Sequence, residues 1–256
     1  MVKLSIITPV YNSIQFIEAC ILNVIGQKCK CLEHLIMDAG STDGTLEIIE
    51  KYAKDYPHIK WISEKDKGQS DAMNKGIKLA SAEVISFLNV DDGYNPFTLN
   101  RIVDIFEANS SLEFITGNCK LFDLEGKLIY INRPQRVKYY HLFSYQEPFP
   151  INPAAYFYKK SVHEKTGPYT VVNHSTMDYE FILKACTKTN IIYFNEDWGY
   201  AIYHENSKTL QDIEQNQMFV KKLETFKGEY EKLTFKMKFY SSLYKYYKKF
   251  KKAING

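Results

Sequence analysis

Short apolar runs alternate with amphipathic stretches through the first hundred residues. Leu4–Thr8 is apolar enough for a buried strand. Ser13–Gln27 brings apolar side chains round every three or four positions, which predicts a helix with Ser13 as its N-cap. Leu32–Met37 reads as a second strand, and Thr45–Tyr56 as a helix that stops before Pro57. A third strand over Ile59–Ser63, a helix over Ser70–Ala80 and a fourth strand over Val84–Leu88 follow. The next helix runs from Pro96 to Ala108, its proline in the first turn where a missing N–H costs nothing. Strands alternating with helices of this length predict βαβ units and a sheet that is mainly parallel.

From Phe114 the rhythm changes. EFITGNCKLFDLEGKLIYIN predicts a hairpin around an Asp-Leu-Glu-Gly turn. Pro148–Tyr158 is irregular and then extended, Asp178–Thr187 is helical, and Asn190–Trp198 and Tyr200–His204 are extended. From Leu210 onward the pattern is helical, and no repeat or low-complexity linker interrupts the chain. The expectation is a single α/β domain over residues 1–208, with a helical arm over 209–256. Within the domain, the change of rhythm divides residues 1–110 from 111–208.

Composition narrows the class. With 256 residues, 45% hydrophobic and 25% charged, the chain suits a globular protein with a substantial core. MVKLSIITPVYN meets a turn too early for a signal peptide, and no apolar run approaches the roughly 20 residues of a membrane span. Five scattered cysteines (Cys20, Cys29, Cys31, Cys119 and Cys186) suggest reduced thiols in a cytoplasm, and Cys29 and Cys31 lack a second pair at zinc spacing. The net charge is +3, yet the last 22 residues hold seven lysines and no acid, so the remainder is acidic.

In an open parallel sheet, ligands bind outside the C-terminal ends of the strands. Three strand ends here are polar: Thr8 to Asn12, Asp38 to Thr45, and Asn89 to Asp92. Asp91 and Asp92 are adjacent carboxylates at the end of an apolar run, an arrangement that a divalent cation would favour. A turn capped by Asp91 is the simpler alternative. DAGSTDGT is neither GxGxxG nor GxxxxGK[ST], which argues against a dinucleotide fold or a P-loop.

TPVYN, DAGSTDGT, DKGQSDAMNKGI and FLNVDD, in this order and spacing, resemble family 2 glycosyltransferases of the GT-A fold, over roughly Leu4 to His204. That resemblance implies a GT-A domain with a mixed, mainly parallel sheet and a nucleotide-sugar donor, usually a UDP-sugar, with 1–110 as its nucleotide-binding half and 111–208 as its acceptor and catalytic half. It places Pro9, Tyr11 and Asn12 against base and ribose and has Asp38 hydrogen-bond the base. Asn89 stands first in the acidic motif, where relatives often carry Asp. One of Asp91 and Asp92 would bind Mn²⁺ or Mg²⁺ and the other would reach ribose or sugar, with the assignment open. Asp71 and Lys75 would face the donor, Asp71 with a helix-capping alternative and Lys75 toward the diphosphate.

Sugar transfer with inversion needs a base at the acceptor hydroxyl. By the same resemblance that base is Asp178, although Met177 replaces the acid that often precedes it. His204 would serve as a metal ligand or phosphate contact, and Asn152, Pro153 and Ala154 would line the acceptor side. No Gln-x-x-Arg-Trp sequence is present, which points to a non-processive enzyme adding one sugar. Relatives build capsules, O-antigens and exopolysaccharides, so the implied acceptor is a lipid-linked or free oligosaccharide.

In the tail, Phe235, Phe239, Leu243, Tyr246, Tyr247, Phe250 and Ile254 recur at helical spacing among lysines. A basic amphipathic helix suits an anionic membrane surface, here the inner face of the plasma membrane. Packing on the body or in a homodimer is the competing reading, and nucleic acid is disfavoured because the basic charge is confined to this segment. Two other functions compete. A nucleotidyltransferase lacks its Gly-rich loop here, and a catalytically weak scaffold at the membrane finds support in Asn89 and Met177.

Overall fold

The computed structural model describes residues 2–144, 148–171, 176–203 and 217–255. Its centre is β1 (Leu4–Val10), seven residues buried on both faces. Parallel to it run β2 (Leu32–Asp38), β3 (Ile59–Ser63) and β4 (Val84–Phe87), in the order β3-β2-β1-β4. The connecting helices are α1 (Ile17–Gly26), α2 (Thr45–Asp55) and α3 (Gln69–Leu79). Register aligns Val10 with Asp38 and Asp38 with Ser63, so the loops leaving β1, β2 and β3 emerge side by side.

Alternation along the strands sends successive side chains into different layers. Val10 and Ile36 pack with Ile17 and Ile21 of α1 and Ile49 of α2. Ile7, Leu35 and Met37 pack with Ala72 and Met73 of α3 on the other side. Fully burying each such Ile, Leu or Met is worth about 1.5–3 kcal/mol.

The second half extends the same sheet. It contributes β5 (Asp92–Tyr94), α4 (Thr98–Ala108), β6 (Phe114–Phe122), β7 (Leu128–Asn132), α5 (Tyr139–Leu142), β8 (Tyr156–Lys159), α6 (Ser161–Thr166), α7 (Met177–Lys188) and β9 (Ile191–Ile202). The order continues β4-β8-β6-β9-β5, with β7 paired to β6. Here β8 is antiparallel to both β4 and β6, whereas β9 is parallel to β6 and antiparallel to β5. The parallel character therefore belongs mainly to the first half. The predicted hairpin is β6–β7, closed by Asp123 Oδ1 accepting the amides of Glu125 and Lys127 at 3.1 and 2.8 Å.

Several boundaries differ from expectation. Helix α1 starts at Ile17 rather than Ser13, because Asn12 takes a positive φ of 44° and Ser13 Oγ turns back to the Tyr11 carbonyl. The Gly-Tyr of the acidic turn is strand β5, not loop. The two extended segments expected after Asn190 form one strand, β9, with register shifts against β6 between Thr116 and Cys119.

The helical arm divides into α8 (Gln217–Glu231) and α9 (Phe235–Asn255), with Thr234 Oγ1 accepting the Met237 amide at the start of the second. Ser241 is buried, and Tyr244 packs on Tyr140 and His141 while receiving a hydrogen bond from Arg136 at 2.8 Å. Phe235, Phe239, Leu243, Tyr246 and Tyr247 point outward. Thus α9 docks through one face and leaves most of its aromatic stripe exposed. Phe250 and Ile254 lie outside the described side chains. No helix among the described residues is long and apolar enough to cross a membrane.

Candidate active site

The loops after β1 and β2 are stitched together. Asn12 Oδ1 accepts the Thr42 amide at 2.9 Å, and the amides of Asn12, Ser13 and Ile14 donate to Ser41, Thr45 and Asp43 at 2.8, 2.9 and 3.0 Å. This lattice fixes the mouth of a cleft of about 1300 Å³. Pro9, Tyr11, Ala39 and Gly40 line it, with the Tyr11 ring 60% exposed. Lys65, Asp66, Gly68 and Gln69 continue the wall.

Asp38 is the residue expected to hydrogen-bond a base. It is buried, and its carboxylate accepts the Gly40 and Ser41 amides at 2.9 and 3.0 Å and the Ser63 hydroxyl at 2.6 Å, with Ser41 Oγ on the other oxygen. Those bonds make Asp38 the internal brace of the loop, and it is not among the residues lining the cleft. Asn12, Asp71 and Lys75 are also absent from the lining. Asp71 accepts the Lys67 amide at 3.1 Å, as a first-turn acid of α3 does, and Lys75 is engaged by Glu64 at 2.7 Å.

The acidic turn sits in the cleft, where both Asp91 and Asp92 line the wall. Asp92 Oδ2 accepts two amide hydrogen bonds, from Asn89 at 2.7 Å and Asn152 at 2.8 Å. Asn89 is itself oriented by Gln69, whose Nε2 donates to Asn89 Oδ1 at 2.9 Å. Burial, reinforced by the negative charge of Asp91, pushes the Asp92 carboxyl up to about 8, and the two amides oppose that rise. A divalent cation would neutralise the two adjacent carboxylates. Among the described residues no three His, Cys, Asp or Glu side chains form a metal cluster. Asp91 and Asp92 are the described carboxylates that would hold a cation, together with the oxygens of a bound diphosphate. His204 lies outside the described residues.

Opposite in sequence but in the same cleft stands Asp178, in the first turn of α7. Tyr156, fully buried on β8, donates its hydroxyl to Asp178 Oδ1 at 3.1 Å. Met177, where the resemblance leads one to expect an acid, is buried and accepts a hydrogen bond from Ser70 Oγ of α3 at 2.8 Å. The substitution thus joins the two halves instead of supplying charge. The far wall is apolar and aromatic, built from Leu121, Ile129, Tyr130, Phe149, Ile151 and Tyr179, with Asn152 and Pro153 beside it. Ala154 is fully buried next to them. Tyr156, Gln69 and Lys222 escape the sequence reading. Only Gln69 lay within a recognised fragment, and the other two are identified by contacts made in three dimensions.

The family model for glycosyl transferase family 2 matches residues 5–165, which includes both strand-end loops and the acidic turn. The chain belongs to glycosyl transferase family 2. A Campylobacter jejuni relative, GalNAc(5)-diNAcBac-PP-undecaprenol beta-1,3-glucosyltransferase, is 32% identical over 130 residues, covering 50% of this chain and 41% of its own. The matched stretches span 18% to 41% of the length of the first relatives found. Among solved structures, S. aureus TarS in complex with UDP-GlcNAc superposes with a TM-score of 0.67 at 21% identity, covering 81% of this chain and 60% of that one. The mannosyltransferase PcManGT from Pyrobaculum calidifontis, in complex with GDP-Man and Mn²⁺, gives 0.64 at 18% identity, with coverage of 87% and 63%. The fold of this family 2 chain is that of GT-A glycosyltransferases.

Proposed function

We propose that this family 2 chain transfers a single sugar, with inversion, from a UDP-sugar to a lipid-linked saccharide during cell-surface polysaccharide synthesis of the capsule or O-antigen type. The observation that carries the reading is the shared cleft, with Asp91 and Asp92 from one half and Asp178 from the other. The acceptor hydroxyl oxygen attacks the anomeric carbon as its bond to the diphosphate breaks, and Asp178 takes the hydroxyl proton. Tyr156 donates to Asp178 Oδ1 and so orients the carboxylate. Tyr11 offers an exposed ring for the base, and the loop lattice keeps it in place. Mn²⁺ or Mg²⁺ on Asp91 and Asp92 would stabilise charge on the departing diphosphate.

The C. jejuni relative, by its name, acts on an undecaprenol-linked glycan, which supports the lipid-linked acceptor. The outward aromatic face of α9, with Lys236, Lys238, Lys245, Lys248 and Lys249 on the same helix, supports work at an anionic membrane surface on the cytoplasmic side. Asn89 fills its position with a hydrogen bond to Asp92, so its departure from the usual acid does not favour a scaffold.

The test is thermal stability with UDP, GDP, dTDP and CDP, each with and without Mn²⁺, followed by turnover of the matching nucleotide-sugars. A ligand at 100 times its Kd stabilises by about 2.7 kcal/mol. A Mn²⁺-dependent shift confined to UDP is expected. Absence of a shift with every nucleotide overturns the transferase reading.

A further inference from the structure

Lys65 lies on the loop before α3, and at the far end of the cleft Lys222 of α8 lines the wall beside Asp178 and Tyr179. Helix α8 is pinned where it carries this lysine. Thr225, one turn on, meets Thr176 hydroxyl to hydroxyl at 3.0 Å, and Phe226 and Tyr230 pack on Phe143 with ring centroids 5.4 and 6.2 Å apart. Lys222 Nζ stands 6.0 Å from the Tyr179 ring centroid, and the Tyr179 ring lies against Phe149 at 4.5 Å. Lys222 is exposed, while the protein atoms around it hold its ammonium below the usual lysine range. Ile129, Tyr130 and Ile151 of the same wall are more than 40% exposed.

We propose that Lys222 and the Tyr179–Phe149 platform form an acceptor subsite for a phosphate group that joins a saccharide to a hydrocarbon chain. The inference rests on the transferase reading above and names the acceptor chemistry of that cleft. An aromatic platform takes the apolar face of a sugar ring, and a partly desolvated ammonium gains from a phosphate more than a fully hydrated one does. Ile129, Tyr130 and Ile151 offer apolar surface to the start of a hydrocarbon chain, which a free nucleotide would not use. The chemistry shared with a donor diphosphate is the anion itself, so the test must separate the two sources.

The full chain is reductively methylated with ¹³C, and the Lys222 dimethylammonium resonance is assigned by its loss in K222R. It is then titrated with octyl phosphate, octyl glucoside, and UDP with Mn²⁺. Octyl phosphate is expected to move the resonance, and octyl glucoside and UDP are not. By fluorescence titration of the unmethylated protein, K222Q should weaken octyl phosphate about 10-fold or more while leaving UDP affinity within about twofold, and K222R should retain most of the affinity. A shift with UDP alone, equal shifts with the neutral glucoside, or no shift with octyl phosphate overturns the subsite. So does a K222Q variant that loses UDP affinity. If UDP binds normally and octyl phosphate does not, the subsite fails and the transferase reading stands. If UDP does not bind at all, the failure belongs to that reading.

Discussion

Asn152 Nδ2 lies 2.8 Å from Asp92 Oδ2, a hydrogen bond between residues 60 positions apart that ties the segment before β8 to the acidic turn. The same asparagine accepts the Ala154 amide at 2.8 Å, so its side chain is fixed at both ends. Removing it in Asn152→Ala leaves a buried carboxylate with one amide donor instead of two. Stability should fall by about 1–3 kcal/mol, read by urea unfolding. The Mn²⁺ concentration needed for half-maximal turnover should rise as well. An unchanged metal requirement would show that the contact serves folding alone.

Asp178 and Tyr156 should separate chemistry from orientation. Asp178→Asn is expected to keep UDP binding and lose about 10²–10⁴-fold in kcat, the usual scale for a general base. Tyr156→Phe removes only a hydroxyl from a buried ring and should lower kcat by about tenfold, about 1.4 kcal/mol of barrier, with donor KM unchanged. Steady-state kinetics on both variants, with UDP affinity as control, checks the pair. Equal losses from the two substitutions would contradict this division of roles.

Acid should destabilise the fold through its buried histidines. His34 is wholly buried beside β1, with Nε2 2.9 Å from Thr8 Oγ1, and burial drives its pKa down to about 3 from 6.5. His163 is lowered to about 4 by the same cause, and His58 is lowered as well. Below pH 6.5 the unfolded chain binds protons that the folded chain refuses. The histidine contribution is therefore full above pH 6.5 and declines as pH falls toward 4, by up to about 1.4 kcal/mol per pH unit for each such histidine, while the raised Asp92 carboxyl acts in the opposite sense below about pH 8. Urea unfolding at pH 7, 6 and 5 measures the slope, and His34→Gln should reduce it by about one proton.

Gly199 of β9 faces the backbone of the turn that carries Asn152. A β-carbon there would stand 2.5 Å from the Ala154 carbonyl oxygen and 2.7 Å from its carbon. Backbone cannot step aside as a flexible side chain can. Gly199→Ala should cost about 1–3 kcal/mol, in the range of overpacked cores, and should also impair turnover because Ala154 adjoins Asn152. Differential scanning calorimetry and a turnover assay provide the check. Gly126→Ala makes a useful contrast, since nothing lies within 4 Å of that position and its cost is backbone strain alone at φ +78°.

The parts of this fold legible in the sequence are those set by local pattern. β1 to β4 and the helices between them follow from apolar runs and Pro or Gly punctuation, and the hairpin follows from Asp123 and its turn. β5 was not legible, because three residues become a strand only when Tyr200 and Ala201 arrive to pair with them. The acidic turn and Asp178 could be named as chemistry, yet Asp38 could not be placed, since Ser41 and Ser63 decide which way its oxygens face. Lys222 shows the same limit. Its helix is readable, but its position over Tyr179 depends on how Thr225 and Phe226 seat that helix.

The pairing of β4 with β8 and of β5 with β9 also bears on how the chain becomes folded. A fragment cut after residue 110 would leave β4 with an open edge and Asp92–Tyr94 with no strand beside them. Open edges of this kind invite pairing with other chains. The two halves of the sheet are thus not independent folding units, and unfolding should proceed in one cooperative step. A nascent chain would hold its acidic turn unformed until β9 emerged, about a hundred residues later, so Asp91 and Asp92 would take their places late.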